Sequence, residues 1–279
     1  MPLTRTADLV TAHEAVIAFN VITVEHAEAI ATAAEAAGSP AVLQISENAV
    51  KYHGGALAPI AAATAAVAAS STARLALHLD HVEDDALLRE AHAHPFSSVM
   101  YDASKLPYGE NVKATAEAVR WAHERGLWIE AELGRVGGKA GDAHTPGVRT
   151  DPAEAAAYVA ETGVDALAVA VGSTHAMSTR TATLDHTLIA ALRDAVPVPL
   201  VLHGSSGVPD RELRRAITAG MRKINVGTAL NVAFTGAVRA FLEAHPSTAD
   251  PRKYLTSARA AMTETVRHFL EAVRRPDGP

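Results

Sequence analysis

The 279-residue chain carries 25 Lys and Arg against 31 Asp and Glu, a formal charge of −6, with 48% hydrophobic and only 4% aromatic residues. That length and apolar share suit one large domain with a core of Ala, Val, Leu and Ile. The mixed, slightly acidic charge argues against nucleic acid or an anionic membrane as the main partner. With no cysteine present, disulfides, Cys-ligated zinc and thiol catalysis are excluded, and a metal would have to be held by His, Asp or Glu.

Residues 1–8 show no basic-then-apolar signal pattern, and no run reaches 18 strictly apolar residues. A soluble, cytoplasmic protein is therefore expected. Short apolar runs alternate with helical patterns along the chain, the rhythm of repeated βα units. Residues 15–20 read as the first strand and 23–37 as its helix, with Thr23 as N-cap and Gly38 at the C-terminus. Residues 41–46 are the second strand, followed by a polar loop through Lys51, Tyr52, His53, Gly54 and Gly55 and an Ala-rich helix. The third strand, 74–80, runs into Glu83-Asp84-Asp85, whose charge suits a helix N-terminus.

A fourth strand, 97–101, ends at Asp102, and its helix, 109–125, closes at Gly126. The fifth strand, 127–132, opens into a glycine-rich loop over 133–151, a length usually reserved for function or motion. Asp151-Pro152 then starts the next helix. Strands over 165–171, 198–202 and 222–226, a helix over 229–244 and an amphipathic arm over 250–275 complete the chain. The count predicts a (β/α)8 TIM barrel occupying 1–279 as a single domain, with a C-terminal helical extension. A doubly wound open sheet is disfavoured, because no Gly-x-Gly-x-x-Gly follows the first strand.

The third strand ends in His78-Leu79-Asp80-His81. Two imidazoles and a carboxylate are costly to bury unless they bind or pair something. In a barrel of this kind the active site lies at the C-terminal strand ends. Those ends supply Asn20, Ser46, Asp80-His81, Asp102, Glu130-Ala131-Glu132, Ser173-Thr174-His175, His203-Gly204-Ser205-Ser206-Gly207 and Asn225-Val226-Gly227-Thr228. Three of them bring a histidine, so His81, His175 and His203 form a candidate site for a catalytic divalent metal. His78, deeper in its strand, reads as support. Glu132 and Asp102 are candidates for a second or alternative metal position, or for orienting a ligand histidine. The Gly, Ser and Thr residues after the last two strands offer a phosphate grip. The remaining histidines, His13, His26, His92, His94, His123 and His268, read as helical or surface residues.

Five motifs in order, Leu-His-Leu-Asp-His, Glu-Ala-Glu-Leu-Gly, Val-Gly-Ser-Thr-His, Leu-His-Gly-Ser-Ser-Gly and Lys-Ile-Asn-Val-Gly-Thr, resemble the class II, metal-dependent ketose-bisphosphate aldolases, in the fructose- and tagatose-bisphosphate branch. The resemblance spans nearly the whole chain, including Phe19-Asn20, Asn111 and Asp250-Pro251-Arg252. It implies that His81, His175 and His203 ligate zinc or another divalent ion against the donor, dihydroxyacetone phosphate. It implies that Asp80 exchanges a proton with the aldehyde oxygen or C4 hydroxyl, and that Asn225 hydrogen-bonds the enediolate. Asn20, Gly204, Ser206, Gly207, Gly227 and Thr228 fall at substrate- or donor-phosphate-binding positions, with a monovalent cation, Na+ or K+, nearby. Ser46 and Arg252 match the grip on a second phosphate, the arginine reaching from a neighbouring subunit, so a homodimer or homotetramer is expected.

Two departures stand out. The family's loop glutamate, which removes the donor proton, has no counterpart in Lys139-Ala140-Gly141-Asp142-Ala143-His144, leaving Asp142 or His144 as candidate bases. Gly227 stands where fructose enzymes often have Asp and tagatose enzymes Ala. The implied reaction is reversible cleavage of a ketose (bis)phosphate to dihydroxyacetone phosphate and an aldehyde such as glyceraldehyde 3-phosphate. A specialised aldolase with another acceptor, or a weakly catalytic paralogue that binds metal and sugar phosphate, are the alternatives.

Overall fold

The computed structural model describes residues 3–133, 148–174, 177 and 179–274. In chain order the elements are α1 (Thr6–Ala12), β1 (Val16–Asn20), α2 (Val24–Ala37), β2 (Ala41–Ser46), α3 (Glu47–Tyr52), α4 (Leu57–Ser70), β3 (Leu75–Val82) and α5 (Asp85–Glu90). They continue as β4 (Ser98–Tyr101), α6 (Tyr108–His123), β5 (Trp128–Glu132), α7 (Pro152–Thr162), β6 (Ala166–Ala168), α8 (His186–Ala195), β7 (Leu200–Leu202), α9 (Asp210–Ala219), β8 (Met221–Val226), α10 (Thr228–Ala244) and α11 (Pro251–Arg274). The strands form a closed parallel barrel in sequence order, with β8 pairing β1. The fold is the predicted (β/α)8 TIM barrel with a C-terminal helix.

The alternation of side chains along each strand splits the molecule into two interiors. Outward-facing Leu, Ile and Val pack under the surrounding helices in one extended core. Inward-facing residues stack in layers. At the N-terminal end the layer is apolar and small, with Val16, Ala18, Val42 and Ala76 on one side and Trp128, Ala166, Ala168 and Val201 on the other. Helix α1 plugs this end: Leu9 packs into the first cluster, and Thr6 Oγ1 lies 2.6 Å from Ser98 Oγ. Burying a leucine this fully stabilises by about 1.5–3 kcal/mol. One strand step higher the same faces present Gln44, His78, Glu130 and Lys223, so the interior turns polar toward the C-terminal ends.

Local chemistry explains where the observed boundaries depart from the sequence reading. Residues 47–52 form α3 rather than a loop, because Ser46 Oγ accepts a bond from Ala49 N at 3.2 Å and Lys51 pairs with Glu47 one turn earlier. Helix α1 carries no strong periodic signal and forms because the barrel floor accepts its apolar face. Strands β6 and β7 are three residues each, shorter than read, since the neighbouring segments leave the ladder to build the site. Asp151 caps α7 as expected, accepting from Ala153 N and Glu154 N. His26 is not a surface residue: it is 3% exposed and stacks on Phe234 of α10 with ring centroids 5.6 Å apart.

Candidate active site

A cavity of about 480 Å³ opens at the C-terminal strand ends. Asn20, Ser46, Asp80, His81, His203 and Asn225 line it together with the loop residues Gly204, Ser206, Gly227 and Thr228. Gly207 is buried behind this wall, where a Cβ would lie 2.5 Å from the Cβ of Met177. Asp102 and Glu132 sit beneath the lining, in contact with its histidines. Arg252 is far more exposed, bonded to Asp250, and does not line the cavity. His175 and Asp142 lie outside the described residues.

Asp80 and His81 are adjacent on β3, and in a regular strand adjacent side chains point to opposite faces. Here they converge. His81 is the one non-glycine residue with positive φ, +50°, among the described residues, and the pairing of β3 with β4 shifts register between Leu79 and Val82. This irregularity re-aims the imidazole over the barrel mouth, at a backbone cost of about 1–3 kcal/mol. Ligand atoms of Asp80, His81 and His203 then lie within 4.8 Å of one another, and a second such group joins His81, Asp102 and Glu132.

Carboxylates fix both histidine rings. His81 Nδ1 donates to Asp102 Oδ2 at 2.9 Å, and Ser104 N and Oγ donate to the other oxygen of Asp102. His203 Nε2 donates to Glu130 Oε1 at 2.9 Å, and its carbonyl accepts from Ser173 Oγ at 2.6 Å. Each bond sets a hydrogen on one ring nitrogen and leaves the other nitrogen as the one that would face a metal. The rings meet edge to face with centroids 4.7 Å apart. Asp80 Oδ1 is buried without a hydrogen-bond partner, facing His78 Nε2 at 3.7 Å. Two oriented imidazoles beside this carboxylate suit a divalent cation.

Electrostatics in the polar layer favour ionised carboxylates. Burial pushes the Asp80 carboxyl up, but His81, the facing His78, Lys223 and His203 more than reverse this and hold it well below the usual range. Burial likewise pushes Glu130 up, and Lys223 and His203 bring it down to about 2. Lys223, 0% exposed on β8, donates at 2.9 Å to both Glu130 Oε2 and Asn225 Oδ1. Burial and then the Lys223 charge push the His78 imidazole below its ordinary range, and its Nδ1 lies 2.8 Å from Ser98 Oγ.

The opposite wall is rich in hydrogen-bond donors. Gly204 adopts a left-handed φ of +67° before a single 3-10 turn over Ser205–Gly207. Ser206 Oγ accepts from Ala229 N at 3.1 Å, which ties this turn to the start of α10. Gln44 Nε2 donates to Asn20 Oδ1 at 2.6 Å, and the Asn20 amide rests on Gly227, where a Cβ would meet it at 3.0–3.2 Å. Sequence reasoning did not single out Gln44, and it gave no role to Glu130, named only as part of a strand end, or to Lys223, present only within a motif. The period of two in Lys-Ile-Asn and Glu-Ala-Glu carried the signal for the last two.

The barrel, with paired imidazoles and a buried carboxylate facing a donor-rich wall, is suited to handling a proton beside a polarised oxygen. The family model described as fructose-bisphosphate aldolase class-II matches residues 6–277, and the chain belongs to that family. It is therefore a carbon–carbon lyase of the aldolase class, a family that implies a divalent metal. Among solved structures, it is similar to the YdjI aldolase from Escherichia coli K12, with 31% identity, TM-score 0.82, and 96% of this chain and 94% of that one covered. It also resembles a candidate fructose-1,6-bisphosphate aldolase from Coccidioides immitis, with 29% identity, TM-score 0.86 and 96% of both chains covered. A fructose-bisphosphate aldolase from Campylobacter jejuni, 23% identical over 95% of this chain and 92% of that one, shares the fold with TM-score 0.79.

Proposed function

We propose that this aldolase is zinc-dependent and reversibly cleaves a ketose (bis)phosphate to dihydroxyacetone phosphate and an aldehyde such as glyceraldehyde 3-phosphate. The convergence of Asp80, His81 and His203 beneath a donor-rich wall carries the proposal. His81 and His203, with His175 outside the described residues, would hold the zinc. Bound there, the ion would supply positive charge beside the donor's carbonyl and hydroxyl oxygens, easing loss of the adjacent proton.

The chain's own groups handle the rest. In cleavage, Asp80 accepts the proton of the substrate's C4 hydroxyl as the carbon–carbon bond breaks, and in condensation it returns that proton to the aldehyde oxygen. Asn225 donates to the enediolate oxygen. Ser206, Gly204 and the first turn of α10 at Thr228 grip the donor phosphate, where the helix N-terminus favours an anion. A monovalent cation beside that phosphate is part of the proposal. Asp142 is the proposed donor base. Asp102 serves to orient His81, and Glu132 is the residue for an alternative metal position.

A homodimer or homotetramer is proposed on two observations. Helix α10 is rich in apolar residues, yet of these only Leu230 is buried and Val232 is 51% exposed. Arg252, 89% exposed and paired with Asp250, does not line its own chain's cavity, which leaves it available to a neighbour's site. Light scattering at micromolar concentration decides the state.

A specialised acceptor is the second reading. The lysines at the cavity mouth are already matched, Lys51 with Glu47 at 2.6 Å and Lys105 with Glu83 at 2.9 Å, which leaves little surplus charge for a second phosphate. A coupled assay for triose phosphate release, run with and without chelator, tests the main proposal. Cleavage that survives chelation overturns the metal role. Failure of fructose and tagatose bisphosphates beside turnover of a ketose monophosphate selects the second reading.

A further inference from the structure

We infer that Lys223 is a positioning residue that locks the Asn225 side-chain amide with its N–H groups toward the substrate. Lys223 lies at the centre of the barrel, and its ammonium group reaches Glu130 Oε2 and Asn225 Oδ1, both at 2.9 Å. An ammonium has three donors and no acceptor. Asn225 must therefore turn its oxygen to Lys223, because the flipped amide would set donor against donor. Its Nδ2 is then the atom presented upward, and that atom is buried without a hydrogen-bond partner in the wall of the cavity.

The consequence is chemical. An amide free to flip could accept from a substrate hydroxyl as readily as donate to an oxyanion. Held by Lys223, Asn225 can only donate, and a donor bonds the charged enediolate oxygen more strongly than any uncharged oxygen of the ketone. Lys223 touches no part of the cavity itself, so its effect passes through Asn225. Glu130 completes the arrangement: it neutralises the buried lysine and, through its other oxygen, holds His203 Nε2. The bland alternative is an ion pair that only closes the barrel between β5 and β8, and the experiment must separate the two.

The inference rests on the aldolase reading of the site. The probe is phosphoglycolohydroxamate, an enediolate mimic, compared by calorimetry with inorganic phosphate in the zinc-loaded protein. Lys223→Met/Glu130→Gln removes the ion pair while leaving an acceptor for His203 Nε2. It is expected to bind the hydroxamate about 10- to 100-fold more weakly, the worth of one hydrogen bond to a charged group. Inorganic phosphate affinity, compared at full zinc occupancy of both proteins, should stay within threefold. In an Asn225→Ala background the same pair of substitutions should add nothing.

Unchanged hydroxamate binding overturns the inference, as does an equal loss in the Asn225→Ala background. Failure of the wild-type protein to bind the hydroxamate would instead overturn the aldolase reading. Neutron diffraction of the wild-type protein needs no variant: deuterons on the Asn225 atom facing Lys223 would refute the inference, and deuterons facing the cavity would support it.

Discussion

Asp102, just beyond the end of β4, accepts a hydrogen bond from His81 Nδ1 at 2.9 Å, so the neighbouring strand sets the orientation of a ring that its own strand presents at a positive φ. The imidazole is thus held from both sides of the irregularity in β3. Asp102→Ala is expected to weaken zinc binding about 10- to 100-fold in chelator competition, with the fold retained by circular dichroism. Unaltered affinity would mean that the backbone alone fixes the ring.

The proposed mechanism places Asp80 on the acceptor side of the reaction only. Asp80→Asn is expected to lower cleavage by about 10²- to 10⁴-fold while zinc binding persists. Exchange of the donor's α-proton with solvent, followed by NMR on dihydroxyacetone phosphate, should continue. Loss of exchange in step with cleavage would move Asp80 to the donor half of the chemistry. The complementary variant, Asp142→Asn, is expected to abolish exchange.

His26 supplies a pH dependence distant from the metal-site histidines. Burial lowers its pKa from 6.5 to about 4, against weaker opposition from Asn231 and Glu25. The folded state therefore binds this proton less readily than the unfolded state. Its contribution is fully present above pH 6.5 and is lost as pH falls toward 4, up to about 3 kcal/mol. His26→Gln keeps a capping-box acceptor for Thr23 N and removes the titration. Urea melts at pH 7 and pH 4.5 should show a smaller difference for the variant than for the wild type, and equal differences would contradict the assignment.

Gly207 stands behind the donor-rich wall with no room for a methyl group, given Met177 at 2.5 Å. Gly207→Ala should cost about 1–3 kcal/mol in urea melts and weaken inorganic phosphate binding, because the 3-10 turn that carries Ser206 must shift. A variant as stable as the wild type with full phosphate affinity would show that the turn yields freely.

Much of this architecture was readable from residue order. Strand ends rich in His, Asp, Asn and Gly placed Asp80, His81, His203 and Asn225 at one mouth, because a parallel barrel gathers its C-terminal ends there. The irregularity at His81 was not readable, since alternation would have sent either Asp80 or His81 away from the cavity. Lys223 was hidden for a different reason: a lysine in a strand reads as an edge or surface residue until its buried counter-charge, 93 positions earlier, is known. His26 looked exposed because its helix is polar on one side, and only the packing of α10 across it decides its burial. The His175 and Asp142 assignments fall outside the described residues.

The Lys223–Glu130 pair ties the chemistry to the order in which the chain is completed. Glu130 enters the barrel with β5, but its partner arrives only with the final strand. Until β8 is in place, Glu130 can keep its bond to His203 but lacks the Lys223 ammonium, a costly state for a buried carboxylate. On the roles proposed for Lys223 and Asn225, the last strand to be made both shuts the barrel and orients the amide meant for the substrate, so an incompletely closed molecule should be an inactive one.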